Sequence, residues 1–162
     1  MRKGFTLLEL LVVVGVFAIL AVVTTQIIAQ SLRGTRKSEA TIEVRENVDY
    51  MFAVMERALR SSQSLDCVSS TATRIEFLDE TGNVSNFQCN GSSDGYLTHN
   101  GNNISGDKVH VNCSITPIFV CNQTDGTTPS SVEISIVSNE AQDAGIEGAR
   151  VTSTTKIILR SF

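Results

Sequence analysis

At 162 residues the chain has room for one long amino-terminal segment and one domain of ordinary size. Its 13 basic against 17 acidic side chains, net −4, argue against broad phosphate-backbone binding, and the absence of Trp leaves no obvious base-stacking platform, so no nucleic-acid partner is expected. Four cysteines, Cys67, Cys89, Cys113 and Cys121, all follow the first third of the chain, and an even count in an exported domain points to two disulfides among three pairings.

The chain opens Met1-Arg-Lys-Gly-Phe-Thr-Leu-Leu-Glu-Leu, and from Phe5 to Val23 only Thr6, Glu9 and Gly15 interrupt its apolar side chains. As a helix that run rises roughly 28 Å, close to the thickness of a hydrocarbon core, and Ile27, Ile28 and Leu32 extend it. Glu9 sits about a turn inside. An ionised carboxylate at bilayer depth costs on the order of 2.5–3.5 kcal/mol, less near the interface, so it asks for a cationic partner. None lies within helical reach on its C-terminal side. Arg33, Arg36 and Lys37 beyond the span nearly balance Arg2, Lys3 and the amino terminus before it, so charge alone does not orient the segment.

The string Lys3-Gly4-Phe5-Thr6-Leu7-Leu8-Glu9 resembles the class III leader of type IV pilins and of the pseudopilins of type II secretion. It has a short basic leader ending in Gly, then Phe, then an apolar run whose fifth residue is Glu. The resemblance implies that a prepilin peptidase cuts between Gly4 and Phe5 and that the new Phe5 terminus is N-methylated. It also implies that Glu9 pairs, in a filament, with the cationic terminus of a neighbouring pilin or pseudopilin subunit. A low local dielectric would strengthen that attraction. The leader and the cysteine count together put the rest of the chain outside the cytoplasm. That makes the protein a single-pass subunit of the inner or cytoplasmic membrane, its head domain in the periplasm or at the cell surface. The expected organisation is a leader over 1–4, a membrane-embedded assembly segment over 5–32, an amphipathic helical half over 33–62, and a disulfide-containing antiparallel β-sheet head over 63–162.

Residues 24–62 continue as helix, since no Pro breaks them. Val44, Val48, Met51, Phe52, Met55 and Leu59 recur at helical spacing and form the stripe on which a sheet should pack. Ser61-Ser62-Gln63-Ser64 marks the helix end. From Cys67 the period becomes alternating. Arg74–Leu78 and Val84–Gln88 flank Asp79-Glu-Thr-Gly-Asn83 as a hairpin. Tyr96-Leu97 begins a short strand, and 101–106 is a loop. Val109–Ile115 alternates with Val109, Val111, Cys113 and Ile115 on one face. Pro117 limits it before Ile118–Val120. Val132–Ile136 follows, then a surface loop over 140–148 and a terminal strand over 151–160. The fold expected is α+β, a helical stem with an antiparallel sheet on its C-terminal half, the lollipop of pilins. The lack of Pro in the stem, the segment Met55-Glu-Arg-Ala-Leu-Arg60 and the terminal Thr155–Arg160 strand resemble J-type minor pseudopilins and related minor pilins. That likeness implies a subunit at or near a filament tip.

Other patterns are weaker. Gly91-Ser-Ser-Asp-Gly95 satisfies the nucleophile-elbow pattern around Ser93, with Asp107 and His110 following. That chemistry needs a strand, a strained turn and a helix, whereas Tyr96 onward reads as strand and turn, so no catalytic residue and no enzyme is expected. The cysteines lack zinc spacing, and His99 and His110 are isolated, so no metal site is expected. Asp79, Glu80 and Asn83 could offer oxygens to Ca²⁺, as in some pseudopilins; the turn has no EF-hand pattern and solvated turn chemistry is the simpler reading, so no cofactor is assigned. Proximity to the hairpin and to the Pro117 turn pairs Cys67 with Cys89 and Cys113 with Cys121. The alternative function is a membrane-anchored adhesion or ligand-binding module that recognises its target through loops 90–108 and 139–149.

Overall fold

In a computed structural model, residues 6–115, 117–123, 129–141 and 149–159 are described. The leader and its Gly4–Phe5 junction lie outside these residues, as do most of the 140–148 loop and Arg160. Among the described residues one helix, α1, covers Leu7–Ser61 and the elements after it are strands. The chain divides into two compact units, 1–38 and 39–162.

The second unit holds the core. Along α1, Val44, Val48, Met51, Met55 and Leu59 are buried at three- and four-residue steps, the stripe the sequence spacing predicts. Phe52 is only half-buried, at the margin of that stripe. The stripe packs into one cluster with Ile75, Phe77 and Phe87 of one sheet and Val132, Ile134 and Ile136 of another. The result is α+β with two antiparallel sheets rather than one.

The first sheet has the order β1-β2-β3-β4-β5, a meander in which each strand pairs with its sequence neighbour. Its members are β1 (Ser64–Thr71), β2 (Arg74–Leu78), β3 (Val84–Asn90), β4 (Tyr96–His99) and β5 (Asn102–Asn103). The β2–β3 hairpin is the expected one, in register from Arg74↔Gln88 to Leu78↔Val84. β1 was not legible, because it does not alternate. Its register shifts between Asp66 and Thr71, where Asp66 Oδ1 accepts the Val68 and Ser69 N–H groups and turns Val68 out to solvent. β5 follows Asn100-Gly101, both with positive φ, the dipeptide that suits a two-residue hairpin turn.

The second sheet is built on β8 (Ser131–Glu140), with β9 (Arg150–Ile158) along one edge over nine pairs. β7 (Phe119–Asn122) and β6 (Val109–Val111) share the other edge. The strand expected over 109–115 stops at Val111. Asn112 Oδ1 accepts the Ser114 N–H, Cys113 N–H donates to the Ser92 carbonyl, and Ile115 is exposed rather than inward-facing.

Two seams join the sheets, and each carries a disulfide. At one, the Ile118 and Phe119 N–H groups donate to the Ala72 carbonyl and Cys67 of β1 bonds Cys121 of β7, Cα atoms 5.5 Å apart. At the other, Gly95 and Val111 exchange backbone hydrogen bonds of 3.0 and 2.8 Å beside Cys89–Cys113, Cα atoms 5.7 Å apart. This corrects the expected pairing of Cys67 with Cys89 and Cys113 with Cys121. Sequence proximity misled because both halves of each expected pair belong to one side of the molecule, whereas the bridges close contacts between sheets.

Candidate functional site

The first unit has no core of its own. Every described residue from Thr6 to Ser38 is exposed, and Leu7, Leu8 and Phe17 are 85%, 75% and 73% accessible. The apolar part of α1 is long and apolar enough to cross a membrane, and none of it is buried. Side chains apolar around the whole circumference need lipid or protein on every side. Thr24 and Thr25 do not disrupt the segment, since their hydroxyls donate to the carbonyls of Leu20 and Ala21 one turn back.

Glu9 lies in the first turn of α1, and the structure adds a partner the sequence reading missed. Thr6 is the N-cap: the Glu9 backbone N–H donates to Thr6 Oγ1 at 3.3 Å. The signal was present as Thr6-Leu-Leu-Glu9, a Ser/Thr-x-x-Glu pattern before an apolar run. Only the Thr6 half of that capping box is formed, and among the described residues no ion pair reaches the Glu9 carboxylate. The carboxylate is thus placed at the positive end of the helix dipole, where a negative charge is favourable.

The other candidate residues are drawn into structure. Ser93 lies in a turn between β3 and β4 and is followed by strand, not helix, so its motif lacks the elbow's context. No hydrogen bond joins Ser93 to Asp107 or His110 among the described residues. The glycines of the motif have a packing reason. Gly91 has φ +95°, and a Cβ at Gly95 would stand 2.5 Å from the Asn90 carbonyl oxygen and 2.6 Å from Cys113 Sγ. The loop beyond β5 is fastened to the helix and the sheet. Lys108 Nζ meets Glu43 Oε1 at 2.7 Å, which raises the Lys108 pKa, and buried Ser105 donates to Asn103 Oδ1.

In the hairpin turn, Asp79 Oδ1 accepts the Thr81 hydroxyl and the Thr81 and Asn83 N–H groups, and these bonds hold its carboxyl below the usual range. The turn's own donors therefore engage the Asp79 carboxylate, one of the groups considered for Ca²⁺. His99 stacks on Phe87 at 4.4 Å and on Phe77 at 6.3 Å, and burial lowers its pKa. It borders an open groove of about 910 Å³ lined mainly by Tyr50, Val54, Arg57 and Ala58 of α1, with Glu80 across from them. Ser61 also lines it, but its hydroxyl donates to the Ala58 carbonyl, and among the described residues no hydrogen bond joins Ser61, His99 and Glu80.

Of the residues singled out by sequence, then, the leader and Glu9 remain the candidate site, and the four cysteines serve the seams. Residues 1–25 match the family model described as the prokaryotic N-terminal methylation motif, which supports the likeness to type IV pilins and pseudopilins. No curated protein and no solved structure matches the chain.

Proposed function

We propose that this chain is a structural subunit of a type IV pilus or type II secretion pseudopilus, a minor pilin or pseudopilin of the J-type kind, at or near the filament tip. A prepilin peptidase cuts after Gly4 and Phe5 is methylated. The segment over 5–32 lies in the inner or cytoplasmic membrane until other pilin or pseudopilin stems replace the lipid, and the β-sheet head stays in the periplasm or at the surface. Glu9 pairs with the Phe5 amine of the adjacent subunit and sets axial register. The observation that carries this reading is the coincidence of the methylation motif over residues 1–25 with an all-round exposed apolar helix bearing one acid in its first turn.

The physical logic is one of counterion supply. Before cleavage the leader carries Arg2 and Lys3 into the same region; after it, the cation opposite Glu9 is the new α-amine. In a water-poor stem bundle, an unpaired Glu9 would be costly and a paired one specific. The test is intact-mass and amino-terminal sequencing of the native protein, with Glu9→Ala beside it. A mature chain starting at methyl-Phe5, and an E9A chain that inserts and is cleaved but is depleted from filaments at least tenfold, are expected. Retention of the first four residues in assembled material refutes the processing role, and normal entry of E9A into filaments refutes the role of Glu9.

A further inference from the structure

The exposed side of the second half of α1 carries a charge-inverted repeat. Arg45, Glu46 and Asp49 are followed, eleven positions on, by Glu56, Arg57 and Arg60, so every charge in the first set returns with the opposite sign. Eleven residues are close to three helical turns, about 16 Å, so each residue and its inverted counterpart lie on the same side of the helix. Glu56 is half-buried and the other five are exposed. The only ion pair among them is the solvent-facing Arg60–Glu56 contact at 2.7 Å, which exchanges partners at little cost.

From this we infer that the outer face of α1 over residues 42–60 is a contact surface for a second copy of this chain, parallel to the first and displaced along the helix by eleven residues. The inference rests on the proposed reading, because a shared membrane is what makes the two copies parallel. An eleven-residue displacement leaves Glu9 out of reach of this copy's Phe5 amine, which needs an offset of about four residues, so the subunit that pairs with Glu9 is a different neighbour. At that displacement Arg45 comes level with Glu56, Glu46 with Arg57 and Asp49 with Arg60, while exposed Ile42 comes level with Ala53. No like charges coincide. A two-turn displacement instead sets Glu39 level with Glu46 and Asp49 level with Glu56, so the pattern discriminates against slippage to a shorter offset. A fourteen-residue offset keeps two opposite-charge pairs, Glu43 with Arg57 and Glu46 with Arg60, in place of three. Exposed pairs contribute little affinity singly, about 0–1 kcal/mol each, so their role is register, with the membrane segments supplying the attraction. At least two copies then stand side by side in the filament.

The test uses two differently tagged full-length copies made in one membrane, extracted in mild detergent and scored by co-purification. Wild-type copies should co-purify, and less so at high salt. Carrying E46R/D49R on both copies, or R57E/R60E on both, should reduce recovery about tenfold, the effect of roughly 1.4 kcal/mol. One E46R/D49R copy with one R57E/R60E copy should recover it. Far-UV dichroism and non-reducing mobility verify folding; should a reversal unfold the chain, the neutral E46Q/D49N copy replaces it and should give a partial loss. The inference is overturned if wild-type copies do not co-purify, if the reversed copies associate as well as wild type, or if the mixed pair fails to recover. Leader cleavage is read by mass on the same samples: a cleaved chain that does not self-associate sinks this contact alone, whereas an uncleaved one sinks the filament reading.

Discussion

At the residue scale, the side chains that looked most chemical are explained by packing and turn geometry. Gly95 is required because its missing Cβ lets β4 approach Val111 and the Cys89–Cys113 bridge. Gly95→Ala should therefore destabilise the domain by about 1–3 kcal/mol in a denaturant titration, the range of overpacked cores. Ser93→Ala two positions away should change stability by less than about 0.5 kcal/mol, as a surface substitution does. His99 gives a pH signature. Its pKa is lowered by burial against Phe87 and Phe77, so the folded chain binds this proton less readily than the unfolded one. The associated stability is fully present above the unfolded value of about 6.5 and is lost as pH falls from there through the lower folded value. His99→Phe, which keeps the ring stack without the titration, should flatten the fall in Tm between pH 7.5 and pH 5. An equally steep fall in that variant would show that another group is responsible. Asp66 and Asp79 act in a lower window, holding stability above about 3.8 that is lost as their lowered values are passed.

At the scale of elements, the bridges are the members that hold two sheets as one head. Cys67–Cys121 closes 54 residues and encloses Cys89–Cys113, which closes 24. With the inner bridge intact, the outer one constrains an effective loop of only about 30 residues, so the two should contribute similarly, about 3–4 kcal/mol each on a chain-entropy estimate. Paired Cys→Ser changes compared by equilibrium unfolding would check this; a loss confined to one bridge would mean that native-state packing, not loop entropy, decides. What the sequence disclosed follows from the same geometry. The α1 stripe and the β2–β3 hairpin were legible because their burial period equals their structural period. β1 was hidden by the Asp66 bulge, and the end of β6 by the Asn112 turn and the pull of Cys89 on Cys113. The seams themselves were invisible, since a disulfide between sheets depends on how the sheets are placed and not on spacing along the chain. At the candidate site Glu9 stood out as a charge in an apolar run, while Thr6 was overlooked as a simple interruption of it.

At the scale of the whole molecule, the two units answer to different surroundings. All described side chains from Thr6 to Ser38 are exposed, and the first buried residue of α1 is Val44. Removing residues 1–38 therefore removes no buried side chain among the described residues. It leaves Glu39 and Glu43 in the first turns of the shortened helix, where acids are favourable to the dipole. The fragment 39–162 should fold with both disulfides and dissolve without detergent, and its unfolding free energy should lie within about 1 kcal/mol of that of the intact chain in micelles. The intact chain, with its uncovered Leu, Val and Ile side chains, should require detergent or lipid. Far-UV dichroism and a urea titration of the two forms decide the matter. A fragment that is unfolded, or still needs detergent, would show that the amino-terminal segment contributes to the core of the head, and the separation of an assembly segment from a self-sufficient head would fail with it.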